Sequence, residues 1–181
     1  GSAAGRVHFG ATTQDVMDTG FALQMQRSLA SLDNALFQLG ASVAGQVTRH
    51  AGTIMAARTH GQQAVPTTFG ATLATVLQQL TRQRIRLSQA RSRIEVVSLF
   101  GAGGTSAAYG RSAAMVRRGV AELLHLGVTD VSWHADRDAL AEFGWLCATV
   151  AATCGKIARN VIDLSRTEIG ELSEQYTRHR G

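Results

Sequence analysis

Apolar residues recur at alternating spacings of three and four along two stretches of the chain. The first repeat consists of Met25, Leu29, Leu32, Leu36, Leu39 and Val43. The second consists of Leu140, Phe143, Cys147, Val150, Cys154, Ile157, Val161 and Leu164. A period near 3.5 residues places one apolar seam along a helix. The pattern therefore predicts two long helices, one from about Thr12 to about Ala57 and one that ends near Leu164.

Two more helices are predicted between them. Pro66 suits the first turn of a helix that runs to about Leu99, after a break at residues 58–65. A third helix covers residues 107–126, behind a turn at residues 101–105 that is too rich in glycine for a helix interior. No run alternates as a strand does, and helices of this length need one another to bury their seams. We therefore predict an all-α fold, an elongated bundle of long helices.

The composition agrees with this fold and narrows the class of partner. The chain has one proline, and its 18 Lys and Arg residues against 13 Asp and Glu residues give a net charge of +5. A basic helical protein could bind nucleic acid, but these arginines are spread along the chain with no aromatic platform among them. Arginine also matches a carboxylate with two parallel hydrogen bonds. We expect small anionic substrates and no nucleic acid.

The cysteines and the apolar runs bear on cellular location. Cys147 and Cys154 would lie about 10 Å apart along a helix, too far for a disulfide, and both belong to the second seam. We therefore expect buried free thiols and a reducing, cytoplasmic location. No apolar run approaches the roughly 20 residues that span a bilayer, so we expect no membrane partner.

Polar residues cluster where the helical pattern breaks, first at residues 8–15 with Asp18 and Thr19. The hydroxyls of Thr12 and Thr13 stand at a predicted helix N-terminus, where free backbone N–H groups and the helix dipole favour a carboxylate. Simple capping of the helix by Thr12, with Asp15 in the capping-box position, explains the same residues.

A second cluster covers residues 58–70 and places His60 between helices. An imidazole there could act as a general acid or base near neutral pH, and a solvent-exposed loop histidine is the alternative. The third cluster is the turn at residues 101–105, where glycine lets a backbone approach a ligand. It lacks the Gly-Lys-Ser/Thr sequence of a phosphate-binding loop.

Together these segments resemble the fumarase/aspartase superfamily. Residues 8–15 with Asp18 and Thr19 are similar to its motif H-x-G-x-T-S-x-D followed by D-T, and residues 58–70 to R-T-H-x-Q-x-A-x-P-x-T-x-G. Residues 100–105 are similar to its G-A-x-G-T turn. The match continues, in the same chain order, through residues 133–138, Phe143, residues 156–158 and residues 167–171.

The resemblance implies a β-elimination, or its reverse, on a small polycarboxylate. A general base removes a proton, the adjacent carboxylate takes up charge, and a general acid protonates the departing nitrogen or oxygen. It implies that His60 is the candidate acid, as in the adenylosuccinate-lyase branch, and that substrate is bound by His8, Thr12, Thr13, Gln14, Asp15, Arg58, Thr59 and Gln62. It also implies a homotetramer with active sites built from three subunits, and chemistry that needs no metal and no cofactor.

The chain departs from the family pattern in three ways. The family's base is a serine on a loop expected soon after Glu171, and a further domain is expected before residue 3; neither is in the sequence. We therefore expect residues 1–181 to be a central helical domain that is inactive alone. Position 13 is Thr where the family prefers Ser.

The branch within the superfamily rests on two segments that disagree. Trp133 and His134 before Arg137 resemble 3-carboxy-cis,cis-muconate cycloisomerases, whereas residues 59–62 with His60 resemble adenylosuccinate lyases. We favour the cycloisomerase branch. A helical assembly protein without activity is the alternative from another class.

Overall fold

A computed structural model describes residues 4–173 and 175–179 of the chain. Within these residues the regular structure is α1 (Thr13–Arg49), β1 (Ile54–Thr59), β2 (Gln62–Thr68), α2 (Phe69–Ile94), α3 (Ala113–Leu124) and α4 (Asp138–Leu164). Short 3-10 helices at Ala4–Arg6 and Ala107–Ser112 precede α1 and α3. The predicted helical fold is confirmed. In this part of the chain, no helix is long and apolar enough to cross a membrane.

The chain divides into two compact units. Unit 1 comprises Gly1–Leu39 and Arg84–Leu146, and unit 2 comprises Gly40–Gln83 and Cys147–Gly181. Unit 1 therefore holds the start of α1, the end of α2, α3 and the start of α4. Unit 2 holds the end of α1, the two strands, the start of α2 and the rest of α4. The domain predicted over residues 1–181 includes residues 1–3, 174, 180 and 181, which lie outside the described residues.

In unit 1 the core forms along the seam predicted for α1. Met25, Leu29 and Leu36 are each at most 2% exposed. Buried residues from α2 and from the segment behind it complete this core, namely Leu87, Ala90, Ile94, Val97 and Phe100. Helix α2 ends at Ile94, five residues before the predicted Leu99, because Val97 and Glu95 form backbone hydrogen bonds with Gly127 instead. The residues behind α2 are thereby fixed in an extended path towards Asp15.

In unit 2 the buried face of α4 differs from the predicted seam. Thr153 is fully buried, and its hydroxyl accepts hydrogen bonds from the side-chain amides of Gln79 (3.1 Å) and Gln83 (3.2 Å). Cys154, the next residue, is exposed and Cys147 is half-buried, so the expectation of buried thiols is wrong, although both thiols are free. The two glutamine amides need an acceptor, which turns the hydroxyl rather than the thiol inward.

An antiparallel hairpin stands where a helix end and a break were predicted. Helix α1 ends at Arg49 rather than near Ala57, and β1 then pairs with β2. Pro66 lies in β2 opposite Ala56, not in the first turn of α2. A proline fits here because each strand of a two-stranded sheet is an edge strand, where a backbone N–H can be absent.

Gly70 seats the start of α2 against the end of α1. Its N–H donates to the carbonyl of His50 (2.9 Å), and a Cβ at this position would lie 2.7 Å from the carbonyl oxygen of Val47. Only a glycine allows this approach of one backbone to the other. The last residue of the second polar cluster is thus a packing residue within unit 2.

Candidate active site

Asp15 is the centre of the polar cluster in unit 1. Its side chain is 1% exposed and accepts five hydrogen bonds. The Oδ1 atom accepts from the Ser98 hydroxyl (2.9 Å), the Phe100 N–H (3.0 Å) and His134 Nε2 (2.6 Å). The Oδ2 atom accepts from the N–H groups of Thr12 (3.0 Å) and Gly101 (2.8 Å). One carboxylate therefore ties together three segments that are distant in sequence.

These hydrogen bonds keep the Asp15 carboxylate charged. Burial alone would raise the pKa of Asp15, because it removes water from the anion. The donors, led by the Thr12 N–H and followed by His134, Phe100 and Gly101, outweigh burial and bring this pKa to about 2. Asp15 is thus a fixed anion at neutral pH, and all of its acceptor capacity serves the chain's own groups.

The glycine-rich turn after Phe100 depends on a close backbone contact. Gly101 has φ +76°, and a Cβ there would lie 3.0 Å from the carbonyl oxygen of Gly10. Gly10 in turn has φ +74°, and a Cβ on it would meet the Tyr109 ring at 2.7 Å. The Tyr109 hydroxyl donates to the carbonyl of Phe9 (2.7 Å), which fixes the loop before α1. Residues 8–11 and the turn at residues 101–105 thus form one packed structure.

Arg117 supports this turn from α3, and nothing in the sequence marks it among the other arginines. It is 7% exposed, and its guanidinium lies 3.7 Å from the centre of the Phe100 ring. It donates to the carbonyls of Leu99 (3.3 Å) and Thr129 (3.3 Å) and to the hydroxyl of Ser106 (2.8 Å). Burial lowers the pKa of Arg117, and the charges of Asp130 and Asp15 oppose that effect.

His134 and Arg137 connect the segment before α4 to the start of α1. His134 bonds Asp15, and its ring packs edge-on against Phe100 with the centroids 6.3 Å apart. Arg137 Nη1 donates to Asp18 Oδ1 (2.9 Å), which also accepts from the side-chain amide of Gln14 (2.8 Å). His134 and Arg137, which the sequence offered as part of the family match and as signs of a branch, are therefore structural partners of the first polar cluster.

Among the predicted substrate-binding residues of unit 1, two hydroxyls remain available. Thr12 is half-buried and Thr13 exposed, and neither hydroxyl makes a hydrogen bond within the described residues. His8 is exposed, with φ +69°. Gln14 and Asp15 point their polar atoms at Asp18 and at the turn, respectively. The carboxylate half of the predicted capping box is formed, since Asp15 accepts the Thr12 N–H.

His60 occupies the tip of the hairpin in unit 2. The pairing of Thr59 with Gln62 leaves His60 and Gly61 as a two-residue loop, with φ +51° and +73°. Positive φ at both positions is the type I′ geometry that matches the twist of an antiparallel pair. The His60 side chain is exposed and has no hydrogen-bond partner in the described part of the chain. Thr59 and Gln62 flank it and are exposed as well.

Arg58 is engaged within the chain. Its Nη1 and Nη2 atoms donate to Glu171 Oε2 (2.8 Å) and Oε1 (2.7 Å) in a bidentate pair. The hydrogen bonds to Arg58 lower the pKa of Glu171, and the same bonds raise the pKa of Arg58. The predicted contact of Arg58 with substrate stays a prediction, and it requires this arginine to leave or share its carboxylate partner.

A cleft of about 750 Å³ lies beside the hairpin in unit 2. Arg58, Thr72, Arg159, Asn160 and Asp163 contribute to its polar lining. Its arginine charge is partly balanced, because Arg159 donates to Asp163 (3.0 Å). His60 is not part of the lining, although its neighbour Gly61 is. Among the described residues, no group of three or more His, Cys, Asp and Glu side chains is placed to hold a metal ion.

The predicted site residues thus fall into two sets. His8, Thr12, Thr13, Gln14 and Asp15 lie in unit 1, and Arg58, Thr59, His60 and Gln62 lie in unit 2. The structure adds Ser98, Arg117 and His134 to the first set and Glu171 to the second. His134 and Glu171 lie within segments that the sequence motifs identified, and Ser98 lies beside one. Only the fold shows which atoms these side chains contact.

The chain is similar to known enzymes of one family. A family model described as a lyase matches residues 2–181. The chain is 45% identical over 175 residues to a 3-carboxy-cis,cis-muconate cycloisomerase of Pseudomonas aeruginosa, and 39% identical over 177 residues to an adenylosuccinate lyase of Methanocaldococcus jannaschii. Each match covers 97% of this chain and 38% of the relative.

A solved structure has the same fold. The crystal structure of a fumarate lyase from Mesorhizobium sp. BNC1 matches with a TM-score of 0.89 at 39% sequence identity. This match covers 94% of the present chain and 40% of the fumarate lyase. The chain therefore spans about two fifths of the length of the proteins it resembles.

Proposed function

This chain belongs to the lyase family matched over residues 2–181, and we propose that the complete protein carrying it makes or breaks a bond β to a carboxylate of a small polycarboxylate. The cycloisomerase branch, with a substrate like 3-carboxy-cis,cis-muconate, is the preferred assignment. The observation that carries it is the 45% identity over 97% of the chain to a protein of that name.

His60 is the proposed general acid. Its imidazole is exposed and has no partner among the described residues, so it can take up and release a proton without first breaking a hydrogen bond. The positive φ of His60 and Gly61 fixes the tip of the hairpin and thereby the place from which the ring projects. Thr59 and Gln62, on either side of the turn, are proposed to hold substrate.

Thr12 and Thr13 are the proposed carboxylate-binding hydroxyls. They stand at the N-terminus of α1, a helix of 37 residues, where the dipole favours an anion. The network around Asp15 orients this turn. Asp15 itself, with both oxygens occupied, is proposed to act on substrate through Thr12 rather than by direct contact.

The complete protein is proposed to supply the remaining parts. The chain is a central helical domain, the serine base and a further domain lie elsewhere in the protein, and three subunits of a homotetramer combine to form each site. Exposed apolar side chains on α1 support assembly, since Val16, Met17 and Phe21 are 56%, 61% and 43% exposed. The two free cysteines support a cytoplasmic location. No cofactor is proposed.

Proton NMR of the complete protein with 3-carboxy-cis,cis-muconate tests this proposal, with adenylosuccinate in a parallel sample. Formation of a lactone in the first sample is the expected result. Fumarate in the second sample alone would move the assignment to the adenylosuccinate lyase branch. That branch is favoured by one observation, the presence of His60 in a segment similar to that of the lyases.

A helical assembly protein without activity is the alternative from another class. It predicts that neither sample changes while the purified protein remains folded and oligomeric. A second test is the 181-residue chain itself, which we expect to be inactive because no residue in it matches the family's serine base. Turnover by a sample of confirmed mass would contradict that expectation.

A further inference from the structure

We propose that His134 is a positioning residue that holds the first turn of α1 in the orientation needed to bind a substrate carboxylate, acting through Asp15. This inference rests on the proposed function for its consequence in catalysis. Its structural part concerns one hydrogen bond, between His134 Nε2 and Asp15 Oδ1 at 2.6 Å, and it can be tested without substrate.

The protonation of the partners fixes the direction of this hydrogen bond. Asp15 is ionised, so its oxygens can only accept. The proton must therefore be on Nε2 of His134, and Nδ1 is the nitrogen without a proton when the ring is neutral. Protonation of Nδ1 would leave the Nε2 donor in place, so the contact does not depend on the charge of the ring.

The surroundings of His134 limit its movement. The side chain is 17% exposed, and the ring edge packs on Phe100. Charged groups near this segment include Asp15, Arg117 on the face of Phe100, and Arg137, whose guanidinium lies 5.8 Å from the Trp133 ring centre. A ring held by both a hydrogen bond and an aromatic contact can serve as a fixed donor.

The position of Asp15 determines the position of Thr12. His134, Ser98 and Phe100 hold Oδ1, while Oδ2 receives the Thr12 N–H at 3.0 Å. Loss of the His134 donor removes one constraint on Oδ1 and lets the carboxylate rotate, which displaces Oδ2 from the Thr12 N–H. Ser98, Phe100 and Gly101 still donate to Asp15, so we expect local loosening of the helix start and no general unfolding.

Three variants of the complete protein test this role. His134→Leu removes the donor, His134→Gln restores an N–H near the place of Nε2, and His125→Asn removes an exposed imidazole of unit 1 that makes no side-chain hydrogen bond in the described residues. Asn also tolerates the positive φ of His125 (+54°). His125→Asn is therefore the matched control.

We expect His134→Leu to raise KM about 10-fold and to change kcat less than about 3-fold. The variant should weaken binding of the substrate carboxylate and leave the proposed proton-transfer group in place. His134→Gln should return KM to within about 3-fold of the unaltered protein with the same pH profile of kcat, and His125→Asn should match the unaltered protein. A large fall in kcat with an altered pH profile, not rescued by Gln, would make His134 a proton-transfer residue and overturn the proposal. An unchanged KM in His134→Leu would overturn it as well.

Amide hydrogen exchange of the complete protein, followed by mass spectrometry, separates this proposal from the proposed function. The peptide that covers residues 12–15 should exchange faster in His134→Leu than in His134→Gln or His125→Asn. If it does and no polycarboxylate is turned over, the positioning contact stands and the proposed function fails. If exchange is the same in all three variants, the positioning contact fails whatever the activity.

Discussion

The cluster around Asp15 and the tip of the hairpin contain the same kinds of polar residue in opposite states. In unit 1 a buried carboxylate uses both oxygens on five donors, and His134 is bound to it. In unit 2 the imidazole of His60 is exposed and unbound within the described residues. A group whose bonds are all satisfied fixes a structure, whereas a group left free at a fixed place can react. The comparison therefore supports the proposal that the first region positions the site and that His60, in the second, carries out the chemistry.

Replacement of His60 should have the largest effect. His60→Asn removes the imidazole but tolerates the positive φ of +51°, so the turn should persist. We expect kcat of the complete protein to fall about 100-fold or more, with a smaller change in KM, because the proposed general acid is lost. Steady-state kinetics with the substrate identified by NMR measures both constants. A change confined to KM would assign His60 to binding and remove the contrast between the regions.

Replacement of Asp15 should have the next largest effect, on stability. Its folded pKa of about 2 lies below the ordinary 3.8, so the ionised side chain stabilises the fold above about pH 4 and loses this effect as the pH falls towards 2. Asp15→Asn should therefore lower the free energy of unfolding by about 2 kcal/mol near pH 7. Urea unfolding at several pH values should show the gap between the two proteins narrowing below about pH 4. A gap that stays constant would mean that the charge of Asp15 does not matter.

Replacement of Gly101 tests the close backbone contact beside Asp15. Gly101→Ala puts a Cβ about 3.0 Å from the Gly10 carbonyl at φ +76°, which should cost on the order of 1–2 kcal/mol. Gly119→Ala in α3, where a Cβ would meet nothing within 4 Å, is the control and should be stabilising by up to about 1 kcal/mol. Thermal unfolding of both variants compares them. Equal shifts of the same sign would show that the turn is not packed as described.

Replacement of Glu171 should have the smallest effect. Glu171→Gln breaks the bidentate pair with Arg58 near the surface, where water and salt screen the charges, so the loss of stability should be less than about 1 kcal/mol. The loss should become smaller as the concentration of sodium chloride is raised, because added salt screens the attraction between Arg58 and Glu171 and leaves less of it to lose. Unfolding by urea at two salt concentrations measures it. A loss as large as that of Asp15→Asn would show that the two regions do not differ in burial as described.

The sequence predicted the helices that carry a repeating apolar pattern. It missed the hairpin and the helix ends, which depend on contacts between segments. The period of three and four gave α4 almost to its observed bounds of Asp138–Leu164. The prediction for α1 ran too far, because the helix was continued beyond the last seam residue, Val43, and past Gly52 to about Ala57. The strand pairing that replaces its end is set by the two-residue turn at His60 and Gly61. A His-Gly pair between short segments was the available signal, since both residues can adopt positive φ.

The sequence predicted which segments form the candidate site, but not which atoms in them contact one another. The family resemblance placed Asp15 among the residues that bind substrate. Its position in the sequence shows that it stands near a helix start, but not that Ser98, Phe100 and Gly101 surround it. Nothing in the sequence distinguishes Arg117, because the chain has many arginines and no motif contains this one. Burial and hydrogen-bond partners distinguish a residue that supports the site from one that contacts substrate. Both properties arise only when segments distant in sequence come together in the fold.

Amide hydrogen exchange of residues 98–101, compared between Asp15→Asn and His60→Asn, tests the division into supporting and reacting regions most directly. The N–H groups of Phe100 and Gly101 donate to Asp15, so their exchange should be at least about 10-fold faster in Asp15→Asn and unchanged in His60→Asn. Unchanged exchange in Asp15→Asn would contradict the account, because the carboxylate would then not hold the turn.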